Sequence, residues 1–289
     1  MRNTRPVLIF CNQGRQPGYG EDFNLKITVP ENIDQLPIKD FLRRKTGYSL
    51  TMWRKIKKSG SLFINDRPAS PQSSVSAGDI ISIVMPLSTS IMPAPLPLDV
   101  VFEDDYLLII NKPAGMLVHP AHKNKSATLA NAVMHYYELQ NITCGYHPVH
   151  RLDRNTSGLL MIAKFPHIQH LLAENTANSL IKRYLAVVEG RPSPSQATIE
   201  APIARHPDSI VKRMVCSHGQ SAVTAYRTIK CFEKASLLQV KLITGRTHQI
   251  RVHMSYIGHP LLGDDLYGGT TDLINRHALH AASLKFLHP

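Results

Sequence analysis

A polar loop that leads directly into an apolar run carries the first residues whose types could do chemistry. The stretch HPVHRLDRNTSGLLMIAK, residues 147–164, places one carboxylate, Asp153, between Arg151 and Arg154. A cationic neighbour favours the ionised form of a carboxyl group, which suits Asp153 to attack an electrophile or to accept a proton. The same residues also suit a structural loop, in which Asp153 forms a salt bridge and the hydroxyls that follow bond the local backbone. On spacing alone, the structural interpretation is favoured.

The single acid of this loop excludes some reaction classes. A glycosidase of the usual kind needs two carboxylates that flank one bond, and a metal site needs several ligands at workable spacing. The loop offers neither, so any chemistry here depends on one ionised carboxylate.

A second stretch, LITGRTHQIRVHMSYIGHPLLGDDLYG, residues 242–268, combines a predicted helix start with two arginines. Arg246 stands at that start and Arg251 lies one and a half turns further on. A helix N-terminus beside a cation can hold a carboxylate or a phosphate. Asp264 and Asp265 are typical of a turn rather than of a second catalytic carboxylate.

Three histidines in this stretch suggest a zinc site and have the wrong spacing for one. The intervals are five and six residues, which do not place a pair on one helix face, so no metal site is expected. These residues are His248, His253 and His259.

Two shorter stretches add candidate residues. KRYLAVVEG places Tyr184 in a predicted strand, where a tyrosine usually packs half-buried and where a ring could also lie against a flipped base. NKPAGMLVHP places Lys112 and His119 on either side of a Pro-Gly turn. Neither stretch is specific by itself.

Composition and charge narrow the partners and the compartment. The chain has 289 residues and a formal net charge of +12, which favours a polyanionic partner. Its four cysteines show no CxxC spacing, so neither a zinc site nor a disulfide framework is predicted and a reducing cytoplasm is expected. Nowhere do about eighteen apolar residues run together, so we expect neither secretion nor membrane insertion.

The segment 85–98 divides the chain. MPLSTSIMPAPLPLD, residues 85–99, contains four prolines and no basic residue, which predicts an extended linker. An N-terminal region, 1–84, precedes it, and a C-terminal domain, 99–289, follows.

The N-terminal region predicts a small α+β unit. Ile38, Phe41 and Leu42 share one face of a helix that ends at Gly47. A second short helix extends from a Ser49 cap to Gly60, and SLFIND and AGDIISIVM predict two strands. The helical pair carries a compact basic cluster, for which a solvated face and phosphate contact are both open. Its members are Arg43, Arg44, Lys45, Arg54, Lys55, Lys57 and Lys58.

The C-terminal domain predicts many strands with few helices between them. Helices are expected from Ser126, from Pro166 and over THQIRVHMSYIG, where Ile250, Met254 and Ile257 face inward. This pattern favours an α+β fold with a mixed, mainly antiparallel central sheet flanked by helices and loops.

Taken together, four stretches resemble a known enzyme family. KPAGMLVHP, HRLDRNTSGLLMIAK, KRYLAVVEG and TGRTHQIRVHMSYIGHPLLGD occur in the order and at the approximate spacing of the RluA family of RNA pseudouridine synthases. The resemblance covers about residues 99–289 and implies the pseudouridine synthase fold. By this resemblance, Asp153 matches the catalytic aspartate, Tyr184 the tyrosine packed on the uracil, Arg246 the basic partner of the aspartate, and Arg151 the arginine that displaces the target base.

The resemblance also implies RNA as the partner, ribosomal RNA first and transfer RNA second. Residues 34–84 are similar to the S4 RNA-binding module. RNA contacts are therefore expected from Arg151, Arg154, Lys112, His119, Arg251, Arg43, Arg44, Arg54, Lys55, Lys57 and Lys58.

The implied reaction breaks the N1–C1′ bond of uridine, turns the base and joins C5 to C1′. It involves no redox step and no net water, so no metal and no cofactor are expected, and the protein is expected to be a monomer that binds no membrane. Whether the aspartate attacks C1′ or removes a sugar proton stays open. A non-catalytic RNA-binding or ribosome-assembly factor on the same fold is the alternative, and hydrolysis at a nucleoside or metal-activated centre is disfavoured.

Overall fold

A computed structural model describes residues 8–9, 22–46, 48, 50–86, 91–121, 126–174 and 180–288. The chain divides into two compact units. One comprises Met1–Leu96, Ala130–His147 and Ala163–Leu171, and the other comprises Pro97–Leu129, Pro148–Ile162 and Leu172–Pro289. The first break falls inside the predicted linker 85–98, while two later segments belong to the first unit.

Helices are few and short. They are α1 (Ile38–Asp40), which continues as a π-helix (Phe41–Lys45), α2 (Leu50–Ser59), α3 (Leu129–Leu139), α4 (Pro166–Glu174), α5 (Gln249–Tyr256) and a 3-10 turn (Asp265–Tyr267). None of the helices in the described ranges is long and apolar enough to cross a membrane.

Strands make up most of the regular structure. They are β1 (Leu8–Ile9), β2 (Asp22–Thr28), β3 (Leu36–Pro37), β4 (Ser61–Ile64), β5 (Arg67–Ala69), β6 (Ser74–Val75), β7 (Ile80–Pro86), β8 (Val100–Glu103), β9 (Leu107–Lys112), β10 (His147–Pro148), β11 (Ser157–Ala163), β12 (Leu180–Glu189), β13 (Gln196–Glu200), β14 (Ile203–Arg205), β15 (Arg213–Val215), β16 (Val223–Cys231), β17 (Ala235–Leu242) and β18 (Leu279–Phe286).

The first unit packs its helices on an antiparallel sheet of order β1-β2-β7-β4-β5. The apolar face predicted for the first helix is confirmed, because Ile38, Phe41 and Leu42 are fully buried in the core that this sheet covers. The second helix ends at Ser59, immediately before Gly60, as predicted. Gly47 and the Ser49 cap lie outside the described residues.

The second unit is built on a sheet whose path runs β13-β16-β17-β12-β18-β11-β9-β8, with β10 paired to β11. The β11–β18 pair is parallel, whereas β12 is antiparallel to both of its neighbours, β17 and β18. The predicted α+β fold with a mixed, mainly antiparallel sheet is confirmed.

The junction between the polar loop and β11 depends on one glycine. Gly158 has a φ of +110°, and a Cβ atom there would collide with the backbone of Ala281 on β18. Glycine therefore lets β11 approach β18 closely at the point where the loop enters the sheet. This contact fixes the direction in which residues 151–156 leave the sheet.

Candidate active site

A pocket of the second unit collects the predicted site residues. Its described lining includes the loop 151–154, one face of β12 and the segment 242–248. The lining carries one carboxylate, Asp153, and four cations, which are Arg151, Arg154, Lys182 and Arg246.

Asp153 lies at the inner end of this pocket with its side chain 26% exposed. Its Oδ2 atom is 3.5 Å from Nη1 of Arg251, and its Oδ1 atom is 4.0 Å from Nε2 of His248. The Thr156 N–H donates a hydrogen bond to the Asp153 carbonyl at 3.1 Å, which closes a tight turn behind the carboxylate. The carboxylate is thus held by charge and remains open to the pocket.

Arg251 is itself fixed by a second acid. Its Nε and Nη2 atoms donate to the two oxygens of the fully buried Asp264 at 2.8 and 2.7 Å, and its guanidinium lies 4.9 Å from the Tyr267 ring centroid. Burial opposes the charge of Arg251, but the hydrogen bonds and charge of Asp264, followed by the charge of Asp153, raise its pKa. The guanidinium fork therefore bridges a structural and an accessible carboxylate.

The predicted partner of Asp153 was wrong. Arg246 is exposed and donates from Nε to the Ser221 carbonyl at 3.0 Å, and its backbone N–H bonds Oε1 of Gln249. An inward face of Ile250, Met254 and Ile257 leaves Arg251 on the other side of the helix, whereas Gln249 to Met254 are all buried. Because this end of the helix is buried on all sides, periodicity does not identify Arg251 as a buried residue.

Tyr184 projects from β12 into the same pocket and is 4% exposed. Burial, and to a smaller extent the charge of Asp153, raise the pKa of its hydroxyl far above its ordinary value. The ring is therefore a neutral, mainly apolar wall beside the carboxylate.

His248 connects Asp153 to a hydrogen-bond chain. It caps α5 in a left-handed conformation, with φ +57°, and burial lowers its pKa, so the ring is neutral near pH 7. The Tyr267 hydroxyl accepts the Arg213 N–H at 2.9 Å, which leaves its own proton to donate to Nδ1 of His248, also at 2.9 Å. In that arrangement Nε2 carries the imidazole proton and faces Asp153.

Residues 106–256 match the family model described as RNA pseudouridylate synthase. The chain belongs to the RluA family of RNA pseudouridine synthases. It is thus an isomerase that acts on RNA uridines.

Individual relatives support this assignment. The chain is 41% identical to RNA pseudouridine synthase YjbO of Bacillus subtilis over 234 residues, covering 80% of this chain and 83% of the relative. It is 39% identical to ribosomal large subunit pseudouridine synthase D of Xylella fastidiosa over 257 residues, covering 83% and 76%. Human RNA pseudouridylate synthase domain containing 1 superposes with a TM-score of 0.55 at 25% identity, covering 68% of this chain and 80% of that one.

Two cations expected to contact RNA instead hold the synthase together. Lys112 is fully buried and donates to the carbonyls of Pro113, Met116 and Arg154 at 2.8, 2.9 and 3.0 Å. Its three N–H donors are thereby used, so the prediction that Lys112 binds RNA was wrong. The same holds for Arg251, which is buried against Asp264.

Burial lowers the pKa of Lys112 to about 8, with the charge of Asp153 opposing the shift. Arg154 remains exposed, but its Nε donates to the Gly115 carbonyl at 2.9 Å, and the Gly115 N–H donates back to the Arg154 carbonyl. The Pro-Gly turn and Lys112 therefore anchor the catalytic loop from one side.

Gln249 anchors the other side of the pocket and was not predicted. Its Oε1 atom accepts from the Arg246 N–H and the Thr244 hydroxyl at 2.9 and 2.8 Å. Its Nε2 atom donates to the Val223 carbonyl and the Thr224 hydroxyl at 3.0 and 2.9 Å. All four hydrogen bonds of the amide are satisfied, which fixes the turn 244–248. Only the family motif, not its spacing, marks this residue.

The remaining histidines of the second stretch serve the fold. His253 bonds the Ala201 carbonyl through Nε2, and His259 bonds the Glu189 carbonyl through Nδ1. Within the described ranges, no group of three or more His, Cys, Asp or Glu residues could hold a metal ion.

Other predicted RNA-binding residues lie at the surface. Arg151 and His119 are exposed at the pocket, where burial and the charge of Arg151 lower the pKa of His119. In the first unit the basic cluster is exposed, and one of its members, Arg44, lies 3.5 Å from Asp40. The exposed members are Arg43, Arg44, Lys45, Arg54, Lys55, Lys57 and Lys58.

Proposed function

We propose that the synthase isomerises uridines of ribosomal RNA with Asp153 as the reactive group. One observation carries the proposal: Asp153 is the sole carboxylate among the described residues that line the pocket, it lies 3.5 Å from Arg251, and Tyr184 lines the same pocket. An ionised acid in that position can attack C1′ or take a proton from the sugar.

The other residues act on the base and on water. Tyr184 packs against the uracil, and its neutral hydroxyl adds no charge. Arg151, exposed at the pocket mouth, fills the space that the flipped uridine leaves in its stack. The N1–C1′ bond breaks, C5 bonds to C1′, the C5 proton leaves and N1 gains a proton. Arg246 borders the site and contacts the RNA there.

Ribosomal RNA is proposed because several relatives are named ribosomal large subunit pseudouridine synthase D. The exposed basic cluster on the π-helix and α2, which resembles part of an S4 module, supplies backbone affinity that does not depend on sequence. We place the reaction in the cytoplasm, in a monomer, without a metal or cofactor.

The test maps pseudouridine in total RNA from cells that carry the wild-type gene, a deletion or Asp153→Asn. The expected result is one or more ribosomal RNA sites that disappear in the deletion and in Asp153→Asn. Sites only in transfer RNA would overturn the ribosomal assignment. Persistence of every site in Asp153→Asn, combined with its loss in the deletion, would overturn the role of Asp153.

A further inference from the structure

Lys182 is a cation of the pocket to which neither the reaction nor the family motif has given a role. It lies two residues before Tyr184 on β12, so both side chains emerge on the same sheet face, and both line the pocket. Within the described part of the chain, no carboxylate lies within 4.0 Å of its ammonium group and no hydrogen bond engages it. Its half-buried charge is therefore uncompensated, which is costly unless a ligand supplies the missing anion.

A second donor that has no acceptor among the described residues lines the same pocket. His150 is half-buried and is close enough to Lys182 for the two to interact electrostatically. Burial, with a contribution from the charge of Lys182 and opposed by the Arg151 backbone, lowers the pKa of His150 to about 3, so the ring is neutral. Its Nε2 accepts the Met161 N–H at 3.3 Å, which puts the ring proton on Nδ1, a buried atom that has no hydrogen-bond partner among the described residues.

We propose that Lys182 and His150 form an anion subsite that binds a phosphodiester next to the target uridine. Lys182 and His150 line the same pocket, in which the one described acidic side chain, Asp153, lies more than 4.0 Å from the Lys182 ammonium group, and a phosphate offers several strong acceptor oxygens. Uracil carbonyls are neutral and would leave the lysine charge unpaired. The contact positions the ribose over Asp153, so Lys182 acts on substrate placement rather than on bond breaking.

The first experiment measures turnover as tritium release from total RNA of a deletion strain, labelled with uridine tritiated at C5. This RNA contains the natural substrate whether it is ribosomal or transfer RNA, so the test does not depend on that assignment. Lys182→Met should raise the apparent KM about tenfold and change kcat less than threefold. Lys182→Arg should retain wild-type KM within about threefold.

Lys241→Met is the matched control. Lys241 is exposed on β17 opposite Arg183, so it lies on the other sheet face from Lys182. Loss of one phosphate contact should reduce the slope of log KM against log salt by about 0.7 to 1 in Lys182→Met and not in Lys241→Met. Equal slopes in wild type and Lys182→Met, or a lowered kcat with unchanged KM, would overturn the subsite.

A second experiment separates phosphate from base. An RNA fragment that contains the mapped uridine is prepared with a single methylphosphonate on its 5′ or its 3′ side. One of the two neutral linkages should raise KM for wild type and have no further effect in Lys182→Met. If both linkages weaken wild type and Lys182→Met equally, the phosphate assignment fails.

Discussion

At the scale of single residues, the carboxylate proposed to react, Asp153, depends on a second acid, Asp264, that is buried behind it. Asp264 is fully buried and takes two of the Arg251 donors, leaving Nη1 for Asp153. Without that anchor the guanidinium would be a buried cation with one partner, and its orientation toward Asp153 would no longer be fixed.

Asp264→Asn is therefore expected to destabilise the fold by about 3–5 kcal/mol and to lower kcat by about tenfold or more. Chemical denaturation and tritium release measure the two effects. Asp265→Asn is the matched control, because Asp265 is exposed and its carboxylate bonds only the adjacent Leu266 N–H among the described contacts. Wild-type turnover in folded Asp264→Asn would contradict the positioning role.

Residue types alone identified only some of this site. Asp153 and Tyr184 were predicted through the resemblance, because their motifs occur in the order and at the approximate spacing of the family. Arg246 was paired with Asp153 through the family resemblance, whereas Arg251 was expected to contact RNA because the helix periodicity treats its face as solvated, although α5 is buried around its first turns. Lys112 was misassigned for a related reason. The sequence does not distinguish a buried lysine that donates three hydrogen bonds to carbonyls from a lysine exposed at the surface.

At the scale of elements, the loop that bears Asp153 takes its position from two neighbours. Lys112 and the Pro-Gly turn bond the Arg154 backbone on one side, and β18 meets β11 at Gly158 on the other. The apolar run GLLMIAK forms most of β11, and the end of α2 immediately before Gly60 was predicted from local signals. The parallel β11–β18 contact joins segments about 120 residues apart, and local pattern carries no information on such a pairing.

Gly158→Ala tests this junction. A Cβ atom would meet the Ala281 backbone at a positive φ, so we expect a loss of about 2–4 kcal/mol in the free energy of unfolding. Gly115→Ala is the control, since Gly115 also has a positive φ, +85°, but nothing within 4 Å of its Cβ position. It should lose only about 1–2 kcal/mol. Equal losses in urea denaturation would show that the close approach of the strands contributes nothing.

At the scale of the whole molecule, the chain carries a large positive charge, but its buried histidines do not add to that charge. The net charge of +12 attracts RNA, and most shifted histidines have lowered pKa values because burial disfavours their charged form. The sequence shows the number of histidines but not their burial, so their lowered pKa values could be inferred only from the fold. Acid would convert these histidines into additional cations in the interior.

Stability is therefore expected to fall in mild acid. Burial lowers the pKa of His277 to about 4, and of His150 and His167 to about 3, whereas in the unfolded chain these histidines have their ordinary pKa of 6.5. The unfolded state then binds more protons below pH 6.5, so the free energy of unfolding drops as pH falls from 6.5 toward these values, by up to about 2 kcal/mol per histidine at pH 5. Urea denaturation at pH 7.5 and pH 5 measures the drop. His277→Gln, which can keep the hydrogen bond to Thr156, should make this drop in the free energy of unfolding smaller by about 1–2 kcal/mol. An unchanged pH dependence in that variant would show that His277 is not buried in its neutral form.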